Sequence, residues 1–178
     1  TKLVLHNYFR SSASVRLRAA LNLKGLPFDY AAYHLRKGEQ RSADYLAINP
    51  QGLVPALELP GRIFLTQSLA IIEYLDETHP TPPLLPADAI DRARVRALSQ
   101  AICCDIHPIN NLRVLAYLRA HLGADDEAVN GWTRHWVAET FGPLEAMLAS
   151  DKRTGRFCHG DAPGMADVCL YAQMLNNK

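Results

Sequence analysis

No run of eighteen apolar residues occurs in this 178-residue chain, so it carries no membrane-spanning helix of ordinary length. Charge of one sign is also lacking. Nineteen Lys and Arg balance eighteen Asp and Glu, and the net charge of +1 gives no broad field to draw in nucleic acid or an anionic membrane. The opening "TKLVLHNYF" lacks the basic-then-apolar layout of a secretory signal. Cysteine is scarce, with Cys103, Cys104, Cys158 and Cys169 the only four. None forms a C-x-x-C pair, and a bridge between adjacent Cys103 and Cys104 would be strained. The expectation is buried free thiols in a reducing cytosol. No His/Cys cluster has metal-ligand spacing, so no metal site is expected. What remains is an ordinary globular composition, 48% hydrophobic and 21% charged, long enough for one large domain or two small ones.

The first 79 residues alternate strand and helix signals. "KLVLH" reads as a buried strand, "SVRLRAALNLKG" as a helix with Ala13, Leu17, Ala20 and Leu21 on one face, and "PFDYAAY" as a second strand. "GEQRSADYLAINP" reads as a weak polar helix stopped at Asn49-Pro50. "LVPALEL" and "RIFLT" form a hairpin across "PG". Ser68 then begins a strong helix with Ile71, Ile72 and Leu75 on one side and Glu73, Asp76 and Glu77 on the other. The order β-α-β-α-β-β-α predicts an α/β, thioredoxin-like domain.

Residues 80–88 hold four prolines and read as a stiff linker. Residues 89–178 read as all-helical. One long pattern runs through Val95, Leu98, Ile102, Ile106 and Ile109, with a break expected at Pro108. A second helix aligns Val137, Phe141, Leu144 and Leu148. A last one, from near Gly164, aligns Val168, Tyr171, Ala172 and Leu175. That helix stops at "LNNK" with an apolar face and no cap, and the expectation is that the chain is incomplete there.

Three motifs carry chemistry. Ser11 and Ser12 stand where a strand hands over to a helix. One serine serves as an N-cap, the simpler reading; a helix start with a hydroxyl also suits an anion such as a thiolate. In "LVPAL", Pro55 cannot donate to a sheet ladder. Either an edge strand or bulge is expected, or a cis Val54-Pro55 bond that presents the Val54 backbone to an extended peptide. Gln67 and Ser68 begin another helix, as a cap or as a second anion site. Together these suggest a small acidic peptide lying across the sheet.

The segments "YFRSSASVRLRAALNLKG", "INP-x-x-x-VPAL", "QSLAIIEYLDETHPTPPLLP", "CDIHPINNLRVL" and "GDAPGMADVCL" resemble, in order and over essentially the whole chain, those of cytosolic glutathione transferases of the zeta class. The resemblance implies a glutathione-binding N-terminal domain, a helical C-terminal domain and a cytoplasmic homodimer. It implies glutathione as cofactor and a small diacid as substrate. The reaction would be cis–trans isomerisation of maleylacetoacetate to fumarylacetoacetate, in tyrosine and phenylalanine catabolism, by reversible thiolate addition. Carried over residue by residue, Ser11 would donate to the glutathione sulfur, with Ser12 and Arg16 lining the same pocket. Gln40 would reach the glycine end, Val54 and Pro55 the cysteinyl backbone, and Gln67 with Ser68 the γ-glutamyl carboxylate. His107, Asn111 and Arg113 match pocket-facing positions. Arg10 matches a cation that pairs with a substrate carboxylate. Maleylpyruvate isomerisation, a broader glutathione transferase or dehalogenase activity, and a non-catalytic interaction module are the alternatives.

The chain departs from the family pattern in three places. Ala13 stands where the family often has cysteine, and Gly164 where a capping box has Ser or Thr, with Asp167 kept. The family also continues for roughly two more helices. His6, His34, His79, His121, His135 and His159 read as surface or satisfied residues, and Trp132 and Trp136 as core.

Overall fold

The computed structural model describes residues 2–176, and the chain forms two units that meet in sequence between Leu85 and Pro86. That junction lies inside the proline-rich stretch expected to be a linker. The last two residues of "LNNK" lie outside the described residues.

The first unit runs β1 (Leu3–Asn7), α1 (Ser12–Leu23), β2 (Phe28–Ala32), α2 (Ala43–Ile48), β3 (Ala56–Leu59), β4 (Ile63–Thr66) and α3 (Ser68–Thr78). The sheet order is β2-β1-β3-β4, with β1 and β2 parallel and the other pairs antiparallel. A parallel pair needs a crossover, and α1 supplies it. β3 and β4 need only a tight turn, and Gly61 and Arg62 close it at φ of 82° and 61°. Leu5, Leu17, Leu21, Leu57, Ile71, Ile72 and Leu75 are fully buried, each contributing about 1.5–3 kcal/mol. The polar segment expected as one weak helix is broken instead. Gly38, at φ 76°, separates two short 3₁₀ turns, Leu35–Lys37 and Glu39–Arg41. The Ser42 hydroxyl then caps α2 by accepting from the Tyr45 N–H at 3.3 Å.

The proline stretch begins tied to this unit. The Lys24 side chain is wholly buried; its ammonium meets Asp76 at 2.8 Å, the His79 carbonyl at 2.8 Å and the Pro82 carbonyl at 2.9 Å. The Asp76 carboxylate also accepts from the N–H groups of Leu84 and Leu85. Removing one partner of a buried pair leaves the other charge uncompensated. Lys24→Met is therefore expected to lower the unfolding free energy by about 3–5 kcal/mol in urea titration; a loss below about 1 kcal/mol, the worth of a surface pair, would contradict this.

The second unit contains α4 (Ala89–Gln100), α5 (Leu112–Leu122), α6 (Asp126–Ser150) and α7 (Met165–Asn176). The break expected at Pro108 begins earlier, as a π-helical turn over Ala101–Ile106. Pro108 has no N–H for the ladder and its ring crowds the carbonyl four residues back. The chain widens ahead of it, and the His107 N–H bonds the Ile102 carbonyl, five residues back, at 3.0 Å.

The last two helices carry the apolar positions expected of them. On α6 the expected face is the inner one: Leu144 is buried and Val137, Phe141 and Leu148 are half-buried, with Val129 buried near its start. On α7 Met165, Val168, Cys169 and Ala172 are buried, while Tyr171 and Leu175, on the expected apolar face, are exposed. The Asp167 carboxylate accepts from Gly164 N–H and Cys158 N–H, both at 2.8 Å, so glycine at the box costs little.

None of the four cysteines is in a disulfide, but only Cys158 and Cys169 are buried; Cys103 is half-buried and Cys104 exposed, against the expectation for all four. Burial, and then the Asp167 charge, push the Cys158 thiol up to about 12.

Candidate functional site

Strand register brings the first unit's candidate segments together. His6, near the end of β1, pairs with Ala56 at the start of β3, and Ala56 pairs with Thr66 at the end of β4. Asn7 pairs with Ala32 at the end of β2. Four segments therefore leave one end of the sheet: the turn into α1, the loop holding Gln40, the Val54-Pro55 approach to β3, and the start of α3.

Ser11 caps α1. Its Oγ accepts from the Ser14 N–H at 3.3 Å, which leaves the O–H hydrogen available to donate. Capping and ligand contact are compatible in one hydroxyl. Ser12 is the first helical residue and is buried, whereas Ser11 is partly exposed. Arg16 is also buried in α1. Arg10 is exposed in the turn just ahead, and among the described residues no carboxylate pairs with it.

Val54-Pro55 is a cis peptide, as expected; Thr81-Pro82 is a second one that the sequence reading did not anticipate. Gln67, not Ser68, occupies the cap position of α3. It sits at φ 68° with no side-chain cap bond, and Ser68 is buried as the first helical residue. A non-glycine residue at positive φ is uncommon and marks a constrained position. The Gln67 amide donates to Gln51 Oε1 at 3.1 Å. Gln40 lies in the second 3₁₀ turn, and its Oε1 is buried with no hydrogen-bond partner; His34 Nδ1 is likewise buried and unpartnered.

His6 is a satisfied residue, not a free base. Its Nδ1 meets Tyr33 Oη and its Nε2 meets Glu58, both at 3.0 Å. Burial first, then the charges of Asp44 and Glu58, raise the Tyr33 phenol above its ordinary value.

His107, Asn111 and Arg113 belong to the second unit. His107 ends the π-helical turn, the Asn111 side chain caps α5 by accepting from the Arg113 N–H at 3.2 Å, and the Arg113 side chain is exposed. Trp132 and Trp136 are half-buried with ring centroids 5.6 Å apart, and Trp132 Nε1 donates to the Ile109 carbonyl. This unit also holds a cleft of about 290 Å³ lined by Ile109, Trp136, Pro143 and Leu144, with the carboxylates of Asp105 and Glu139 at its wall. Two carboxylates would repel a diacid, so that cleft does not suit an anionic substrate. Among the described residues no group of three His, Cys, Asp or Glu could hold a metal.

The first unit thus presents a hydroxyl donor at one helix start, a constrained helix start of opposite origin, a buried amide oxygen and an exposed guanidinium. Helix starts favour anionic groups, and the unpartnered Gln40 oxygen calls for an N–H donor from a ligand. The set fits an extended peptide carrying carboxylates and a thiolate.

Comparison with known proteins agrees with that chemistry. Residues 10–78 match the glutathione S-transferase N-terminal domain family. A maleylpyruvate isomerase of Ralstonia sp is 52% identical over 170 residues, covering 96% of this chain and 80% of its own. The maleylacetoacetate isomerase of Rhizobium meliloti is 50% identical over 173 residues, covering 97% and 80%. A maleylacetoacetate isomerase structure from Methylobacterium extorquens AM1, with bound malonate and glutathione, superposes with a TM-score of 0.94 at 41% identity, covering 98% and 81%. A solved holo maleylpyruvate isomerase, described as a bacterial zeta-class glutathione S-transferase, does so at 0.94 and 51% identity, covering 97% and 81%.

Proposed function

This chain belongs to the glutathione S-transferase family, in its zeta class, and from that premise we propose that it is a glutathione-dependent cis–trans isomerase acting on maleylacetoacetate. The observation that carries the proposal is Ser11. Its oxygen is engaged as a helix cap while its hydrogen remains to donate to a sulfur at the start of α1.

The residues fit glutathione. The buried Gln40 oxygen without a partner suits the N–H at the glycine end. Val54, with Pro55, presents backbone to the cysteinyl portion, and Gln67 with Ser68 receives the γ-glutamyl carboxylate at the start of α3. Ser12 and Arg16 underlie the same turn. For the second unit, the sequence resemblance nominates His107, Asn111 and Arg113 as further ligand contacts.

When bound, glutathione supplies a thiolate that adds reversibly to the double bond of the cis-diacid, turning it into a single bond about which the trans form is reached. The chain's own work is electrostatic. Ser11 and the α1 dipole favour the anionic sulfur. Arg10 fixes a substrate carboxylate beside it, in the two-pronged manner open to a guanidinium. No side chain needs to act as general acid or base. The product is an isomer of the substrate, so glutathione is regenerated each turn.

The chain acts in the cytoplasm, a reading supported by four cysteines in no disulfide, and as a homodimer, a reading supported by the zeta-class resemblance. No described helix is long and apolar enough to cross a membrane.

Relatives of nearly equal identity bear the two isomerase names, so substrate is decided by assay. With glutathione present, kcat/KM for maleylacetoacetate is expected to exceed that for maleylpyruvate by about tenfold, the discrimination one altered segment commonly gives. The reverse order would assign the shorter diacid. No turnover of either, with glutathione bound, would make the chain a binding module.

A further inference from the structure

The loop between α2 and β3 is held by one buried amide. Asn49 is 2% exposed. Its Nδ2 donates to the Leu53 carbonyl at 2.8 Å, and its Oδ1 accepts from the Gln51 N–H at 3.1 Å. Its own carbonyl accepts from the Gly52 N–H at 2.9 Å, closing the turn. Asn, Pro and Gly at the first, second and fourth positions are the residues that such a turn favours. Gly52 sits at φ 62°, and a Cβ there would come within 2.8 Å of the Arg41 guanidinium. The Leu53 carbonyl takes a second hydrogen bond, 2.6 Å from the hydroxyl of fully buried Tyr45. Burial, then neighbouring Tyr33, push that hydroxyl far above its ordinary range, so it remains a donor.

Both ends of this arrangement reach ligand positions. Leu53 immediately precedes Val54. Gln51, whose backbone Asn49 fixes, accepts from the side chain of Gln67. A two-donor lock on one carbonyl exceeds what closing the loop requires, because the Asn49–Gly52 backbone bond already closes it. We propose that Asn49, assisted by Tyr45, is a positioning residue that sets the Val54 backbone and the Gln67 amide at the spacing of the glutathione peptide. This role presupposes the glutathione reading above. It assigns to Asn49 more than the helix stop that Asn49-Pro50 signals in sequence.

The test uses the full chain and reads glutathione binding by calorimetry alongside steady-state KM and kcat. The Asn49 amide holds two contacts, so Asn49→Ala should raise Kd and KM for glutathione about tenfold with kcat changed far less. Tyr45→Phe, which removes one hydroxyl and no packing volume, should raise them about threefold and guards against a misfolded first variant. Asn49→Asp keeps the acceptor for Gln51 but sets a carboxylate oxygen against the Leu53 carbonyl, so it should raise Kd and KM at least as much as Asn49→Ala. Leu75→Ala, at the opposite end of α3, should lower the melting temperature without moving KM, which separates positioning from general destabilisation. If the parent chain binds glutathione and Asn49→Ala leaves KM unchanged, or Leu75→Ala moves it equally, the positioning role is overturned and the glutathione reading stands. If the parent chain binds no glutathione, both fall.

Discussion

Ser11→Ala is expected to lower turnover about a hundredfold, the effect of removing one donor from a developing or resident anion, while glutathione affinity falls far less. The split follows from where the contacts lie. In the proposed placement the peptide is held by Val54, Gln67, Ser68 and Gln40, whereas Ser11 meets only the sulfur. Loss of its O–H should raise the thiol pKa of bound glutathione by about one to two units. The sign is fixed: the anion is the reactive form, so a raised pKa leaves less of it at neutral pH. The acidic limb of the kcat–pH profile should move upward by the same amount. The reading is thiolate absorbance of the bound complex across pH. An unchanged pKa would pass the donor role to Ser12 or to the backbone. Burial of Ser12 argues against that, since only Ser11 combines partial exposure with a spare hydrogen. Losing the cap itself costs about 1 kcal/mol of stability, too little to unfold the chain.

Arg10→Met is expected to raise KM for maleylacetoacetate by about two orders of magnitude, as truncating one partner of a charge-paired contact does. Arg10 is exposed and unpaired with any carboxylate among the described residues, directly ahead of the Ser11 cap. An unpaired guanidinium has its full fork to offer a carboxylate. Arg10→Lys keeps the charge and loses the fork, so it should recover only part of the loss. Glutathione affinity should hardly change in either, because the proposed placement gives Arg10 no contact with the glutathione peptide. Intact KM and kcat in Arg10→Met would remove Arg10 from this role.

The sequence carried the first unit well because its signals are local. Ile71, Ile72 and Leu75 face one way on a helix, and Pro60-Gly61 can only be a turn. Within the candidate site, local geometry was legible where it sits on residue type, as in the Ser11 cap and the cis Val54-Pro55 bond. It was less legible where the arrangement rests on tertiary partners. Asn49 reads as a helix stop until its amide is seen on Leu53 and Gln51. Gln67 reads as a neighbour of a serine cap until its positive φ is known. The second unit was read less accurately. Pro108 predicts a break but not that it relaxes backward as a π-helical turn from Ala101. On α7 the periodicity aligns Tyr171 and Leu175 with Val168 and Ala172 but does not tell which of the four are buried. Lys24 gave no signal at all, since a lysine after a helix is ordinarily solvated.

The central claim is that the chain isomerises a cis-diacid through glutathione without consuming it. Proton NMR of maleylacetoacetate with the purified chain tests this directly, with and without a substoichiometric amount of glutathione. The account predicts that the trans isomer accumulates over many turnovers per glutathione, that free glutathione returns to its starting level, and that omission of glutathione stops the reaction. Turnover that persists without glutathione, or that ends after one equivalent as a stable thioether, would contradict it.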